Sequence, residues 1–95
     1  MKDKFYAMWR CGRRLSIVPV TEEMMTDPVS IDFARRSARK SFSADGFSDT
    51  EMDDALAKDP RFFVRVYQDE ETYTEHSYRD YCFLYGTFEE RNKAA

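Results

Sequence analysis

The sequence predicts a small α+β domain, and three observations carry that prediction. Residues 5–18 and 61–67 are rich in aromatic and β-branched side chains that alternate in polarity, as half-buried strands require. Between them lie two stretches with apolar residues every three or four positions, each preceded by helix-starting residues. The chain has 95 residues, of which 42% are apolar and 16% aromatic, enough for one core and too little for two. Residues 1–95 therefore read as a single domain, with 89–95 as a frayed, charged tail.

The elements follow in order. "KFYAMWRCGRRLSIVPV" (residues 4–20) reads as a β-hairpin turning at Gly12. Pro19 cannot donate to a ladder, so the second strand is expected at a sheet edge or to stop there. Residues 27–42 read as a helix, with Thr26 as N-cap and Asp27-Pro28 in the first turn. Ile31, Ala34, Ala38 and Phe42 share one side of its wheel, and Arg35, Arg36, Arg39 and Lys40 collect on another beside Phe33.

"FSADGFSDTEMDDALAKDP" (residues 42–60) has the outline of a calcium loop but not its ligands. With Gly46 at the sixth position, Ser41 stands first where Asp is required, and Met52 stands twelfth where the bidentate Glu belongs. Ser48 with Glu51 instead forms a capping box, and Asp45-Gly46 is the turn before it. The second helix is expected to run to Asp59, because the residue before Pro60 is driven out of the helical region.

"RFFVRVYQD" is the clearest strand, with Phe62, Val64 and Val66 opposite Phe63, Arg65 and Tyr67, and "DEET" is the turn after it. Residues 73–88 fit a strand, with Cys82 and Leu84 against Tyr81, Phe83 and Tyr85. They also fit a helix, on which Tyr78, Tyr81, Cys82 and Tyr85 share a face. Tyr, Phe, Cys and Thr favour strands, so further antiparallel strands are expected here. The expected order is thus an N-terminal β-hairpin, two helices, then antiparallel strands that pack on them.

Few groups suit catalysis or metal binding. Cys11, Cys82 and His76 are the only Cys and His residues, short of the four ligands of a structural zinc site. Cys82 sits among Tyr, Phe and Leu, as a buried apolar residue does. No serine elbow, phosphate-cradling loop or dinucleotide fingerprint is present in a chain with three glycines. The expectation is a non-enzymatic protein with no metal and no cofactor. No apolar run approaches the roughly 20 residues that cross a bilayer, so a cytoplasmic location with no membrane partner is expected.

Charge is unevenly distributed. Residues 1–42 hold nine basic and five acidic side chains, net +4, and residues 43–95 hold six basic and thirteen acidic, net −7. The halves either mark separate surfaces or neutralise each other on folding. The main expectation is a protein-interaction module, an adaptor or inhibitor, meeting a basic protein surface through Tyr67, Tyr81, Tyr85, Asp53, Asp54, Glu70 and Glu71. By analogy of size and charge alone, such an acidic surface would imitate nucleic acid, as anti-defence proteins of mobile elements do. The alternative is a small nucleic-acid-binding regulator using Arg35, Arg36, Arg39 and Lys40 on the basic helix 27–42. "FFVRVY" resembles the aromatic strand of an RNA-recognition fold only in outline, since the flanking Arg-Gly-aromatic pattern is absent.

Overall fold

A computed structural model gives the fold and describes residues 3–94. Strand β1 (Lys4–Cys11) turns at Gly12, held at φ +59°, into β2 (Arg14–Val20). A short 3-10 turn (Glu23–Thr26) leads into helix α1 (Pro28–Ala44), and Gly46 at φ +88° reverses the chain into α2 (Asp49–Leu56). Strands β3 (Arg61–Tyr67) and β4 (Tyr73–Ser77) follow, then helices α3 (Tyr78–Tyr85) and α4 (Phe88–Ala94). The four strands form one antiparallel sheet in the order β2-β1-β3-β4. The architecture is α+β, as the sequence predicts.

The alternating strand pattern sorts the sheet into two faces. Phe5, Ala7, Trp9 and Cys11 of β1 point to the helices, where Ala7, Trp9, Cys11 and Val20 meet Ala34, Ala38 and Phe42 of α1 and Met52 and Leu56 of α2. Phe42 is fully buried, and Phe47 packs edge-on against it with ring centroids 5.9 Å apart. Burying a side chain the size of Phe42, Met52 or Leu56 contributes about 1.5–3 kcal/mol.

Several boundaries differ from expectation. Asp27, not Thr26, caps α1, accepting from the Val29 amide at 3.2 Å and the Ser30 hydroxyl at 2.6 Å. Its carboxylate reaches those donors because Thr26 is held back in the 3-10 turn. Strand β2 lies at the sheet edge and runs through Pro19 to Val20, since an edge strand leaves some backbone donors without a ladder partner. The Ser48–Glu51 capping box forms as expected. Helix α2 stops at Leu56 rather than Asp59: Arg35 Nε donates to the Leu56 carbonyl at 2.8 Å and Trp9 Nε1 to the Lys58 carbonyl at 3.1 Å. Side chains from elsewhere thus satisfy carbonyls that helix ends leave open.

The largest correction concerns residues 78–85, which form helix α3 and not a strand. Ser77 caps it, accepting from the Asp80 amide at 3.1 Å, and Gly86 ends it at φ +91°. Of the segment expected to fray, 89–95, residues 89–94 are helical within α4 and residue 95 lies outside the described residues; Thr87 and Glu90 exchange cap hydrogen bonds at 3.2 and 3.4 Å. Tyr78 and Tyr81 meet Phe5 edge-on at 6.3 and 5.4 Å. Helix α3 therefore lies on the same side of the sheet as α1 and α2.

Candidate functional site

Beyond the exposed Val29 and Phe33 of α1, two surfaces gather uncovered apolar and aromatic side chains among the described residues. The first is the sheet face opposite the helices, presenting Lys4, Tyr6, Met8 and Arg10 of β1 and Leu15, Ile17 and Pro19 of β2. Beside them stand Arg61, Phe63, Arg65 and Tyr67 of β3 and Tyr73, Glu75 and Ser77 of β4. Tyr6 and Phe63, directly opposite on the two central strands, stack 5.1 Å apart with planes 19° from parallel. The Arg65 guanidinium lies 4.8 Å from the Tyr6 ring centre and 4.7 Å from that of Tyr73, and its Nε is 3.3 Å from Glu75. Tyr67 and Tyr73 form a second cross-strand pair at 5.2 Å, with Lys4 5.1 Å from the Tyr67 ring.

The second surface is the outer side of α3. Phe83 is 90% exposed, Leu84 56% and Tyr85 48%. Three consecutive large apolar side chains face solvent because α3 turns only Tyr81 fully inward, with Tyr78 and Cys82 half-buried beside it. Their exposure leaves that side of the eight-residue helix open to solvent.

The expected tyrosine surface is not assembled. Tyr81 is 3% exposed and donates to Asp3 at 2.7 Å. Tyr67 lies on the open sheet face, whereas Tyr85 lies on α3 beyond the other face, 5.0 Å from Tyr81 and 6.3 Å from His76. A helix at 78–85 turns Tyr81 and Tyr85 away from the direction a strand would give them. Burial, and then hydrogen bonds led by those to Cys82 at Tyr78 and Asp3 at Tyr81, push both phenol pKa values above their ordinary value.

Nor do the carboxylates form one patch. Asp53 is held by Arg39 at 2.7 Å, which also reaches Asp49 at 3.3 Å. Asp54 is exposed on α2, and Glu70 and Glu71 are exposed in the β3–β4 turn. Asp69 shapes that turn by accepting from the Glu71 and Thr72 amides, both at 2.8 Å. The basic helix is divided likewise. Arg35 turns to Asp32 and the Leu56 carbonyl, and its guanidinium lies 5.7 Å from the Trp9 ring centre. Arg39 bridges to α2 as above. Arg36, 5.2 Å from the Phe33 ring centre, and Lys40 remain exposed. Across the α1–α2 contact Arg39 thus offsets two carboxylates of the acidic half, Asp49 and Asp53.

Among the described residues no group of three or more His, Cys, Asp or Glu is arranged to hold a metal ion. Cys11 is buried, and its thiol donates to the Glu51 carbonyl at 3.7 Å. Cys82 and His76 stand on α3 and β4, with the His76 ring directed edge-on at Tyr85. No helix among the described residues is long and apolar enough to cross a membrane.

The sequence carries the signals for these surfaces only in part. Ser77 followed three residues later by Asp80, with Gly86 beyond, is a helix signature that the strand-favouring Tyr and Phe content outweighed. Comparison with protein-family models, curated proteins and solved structures finds no match to this chain.

Proposed function

We propose that this chain is a non-enzymatic, cytoplasmic protein-interaction module, an adaptor or inhibitor that docks through α3. The observation behind this reading is the exposed run Phe83-Leu84-Tyr85. A solvated surface rarely keeps such a cluster unless a partner covers it, and aromatic side chains are enriched among residues that dominate binding energy. Tyr85 belongs to the expected contact set; Phe83 and Leu84 extend it.

The surrounding charge points to the partner's character. Next to that run in the chain stand the carboxylates Asp80 of α3 and Glu89 and Glu90 in the first turn of α4, and between residues 78 and 90 the one basic side chain is Arg79. Asp80 stands three and four positions before Phe83 and Leu84, so it borders them on the helix surface. The fitting partner is a protein with an apolar pocket edged by basic residues. The apolar contact supplies affinity, and the carboxylates speed and orient the encounter.

The test is capture from nuclease-treated lysate with the tagged wild-type chain beside Phe83→Ala and Leu84→Ala. A protein retained by the wild type should weaken about tenfold or more with Phe83→Ala, while both variants melt like the parent. A partner held equally by all three chains would rule out α3 as the docking surface.

A further inference from the structure

The open sheet face has the opposite charge to the chain as a whole. Its outward positions hold Lys4, Arg10, Arg61 and Arg65 against the single carboxylate Glu75, a local net charge of +3 on a chain of net −3. Those cations are interleaved with four aromatic rings that form two cross-strand pairs, Tyr6 with Phe63 and Tyr67 with Tyr73. Arg65 joins the pairs, since its guanidinium lies against both Tyr6 and Tyr73.

We infer that this face binds single-stranded nucleic acid. Bases stack on the exposed Tyr73 ring, while the half-buried Tyr6, the Arg65 guanidinium and Phe63, at 6% exposure, pack together beneath and support it. Every base has a π-face, so an exposed aromatic plane beside a basic groove accepts unpaired bases in general. Lys4, Arg10 and Arg61 take the phosphates. Two depressions of ≈ 580 and ≈ 280 Å³ adjoin along Met8, Leu15 and Arg61. The first also has Arg10, Lys58 and Asp59 in its wall, and its three cations, Arg10, Lys58 and Arg61, against one carboxylate lead the backbone toward the hairpin end of the sheet.

Two features favour this occupant over an acidic protein or a duplex. Glu75 already offsets the charge of Arg65, so the cation at the centre of this face is not awaiting a partner's carboxylate. The rings are spread over the two central strands and one edge strand, whereas a duplex keeps its base faces stacked inside and leaves nothing for them to meet. This surface and α3 lie on opposite sides of the sheet, so the inference is independent of the protein partner.

The test is fluorescence anisotropy with labelled oligouridine and oligothymidine about 20 nucleotides long, a duplex of equal length, and polyglutamate as competitor. Wild type should bind the single strands, and log K should fall with log[salt] with a slope of about −2, as three phosphate contacts on a single strand imply. Arg61→Ala should make that slope shallower by about 0.7. Tyr73→Ala and Tyr6→Ala should each weaken binding about tenfold and leave the slope unchanged. Phe83→Ala, on the other side of the sheet, should bind as wild type does. A preference for either sugar would support the inference and identify the nucleic acid. Four results would overturn it: no binding of either single strand at about 50 mM salt, equal binding of the duplex, equal displacement by polyglutamate, or Tyr73→Ala indistinguishable from wild type.

Discussion

Tyr78 donates its phenol to Glu22 Oε2 at 2.8 Å, joining positions 56 residues apart. The other oxygen of the same carboxylate receives Arg91 of α4, and only 5% of the Glu22 side chain is exposed. Arg91 in turn lies 4.9 Å from the ring centre of Tyr81, whose hydroxyl is held by Asp3. One buried carboxylate thus fastens the 3-10 turn, α3 and α4 together. It holds the base of the helix that presents Phe83.

Glu22→Ala should destabilise the fold by about 2–3 kcal/mol, because it leaves a guanidinium and a phenol partly buried without their acceptor. Urea denaturation measures the loss, and limited proteolysis should then cut near residues 86–94 first. A change below about 0.5 kcal/mol, the scale of an ordinary surface substitution, would show that the network is not structural.

Stability should fall in acid for a traceable reason. Hydrogen bonds from the Ser48 backbone and then its side chain hold Glu51 below the usual carboxylate pKa. The Ser30 hydroxyl does the same first for Asp27, and the Glu71 and Thr72 amides for Asp69. A carboxylate with a depressed folded-state pKa adds stability that is complete above its unfolded value, about 4. That stability is lost as pH falls through the depressed folded value. The thermal midpoint should therefore hold from pH 7 to about 5 and drop below about 4, with a smaller drop in Glu51→Gln. Identical acid profiles for the variant and the parent would contradict the cap assignment.

The two cysteines should differ in reactivity. Burial, followed by the nearby Glu51 charge, pushes the Cys11 thiol pKa up, and the thiolate is the reactive form. Native protein treated with iodoacetamide should be modified at half-buried Cys82, with Cys11 reacting only after denaturation. Equal labelling of both in the folded state would show that the Cys11 pocket opens.

Core and surface phenylalanines of α1 should separate cleanly. Phe42→Ala empties the centre of the helix–sheet contact and should cost about 3–5 kcal/mol. Phe33→Ala, on the exposed side under Arg36, should stay within about 0.5 kcal/mol. Equal costs measured by urea denaturation would contradict the packing described.

What the sequence by itself determined is mostly local. The hairpin, the apolar stripe of α1, the Ser48–Glu51 box and the alternation of β3 all rest on relations within about four residues, or on strict two-residue periodicity. Those relations act before any tertiary contact exists. For residues 78–85 local signals conflicted: the capping pair Ser77 and Asp80 favoured a helix and the Tyr and Phe content a strand. Packing against Phe5 decides it, because a helix there buries Tyr81 and satisfies its hydroxyl through Asp3.

Only the tertiary structure decided which charges and rings remain available. Arg39 and Asp53 are both strongly charged in the sequence, yet the α1–α2 contact spends each on the other. Tyr81 and Phe83 are both aromatic, yet one is buried and the other almost bare. Tyr6 and Phe63, far apart in the chain, become a stacked pair only when β1 and β3 align. Pairing and exposure depend on which segments meet, and that is fixed by burial of the whole core rather than by any short stretch of sequence.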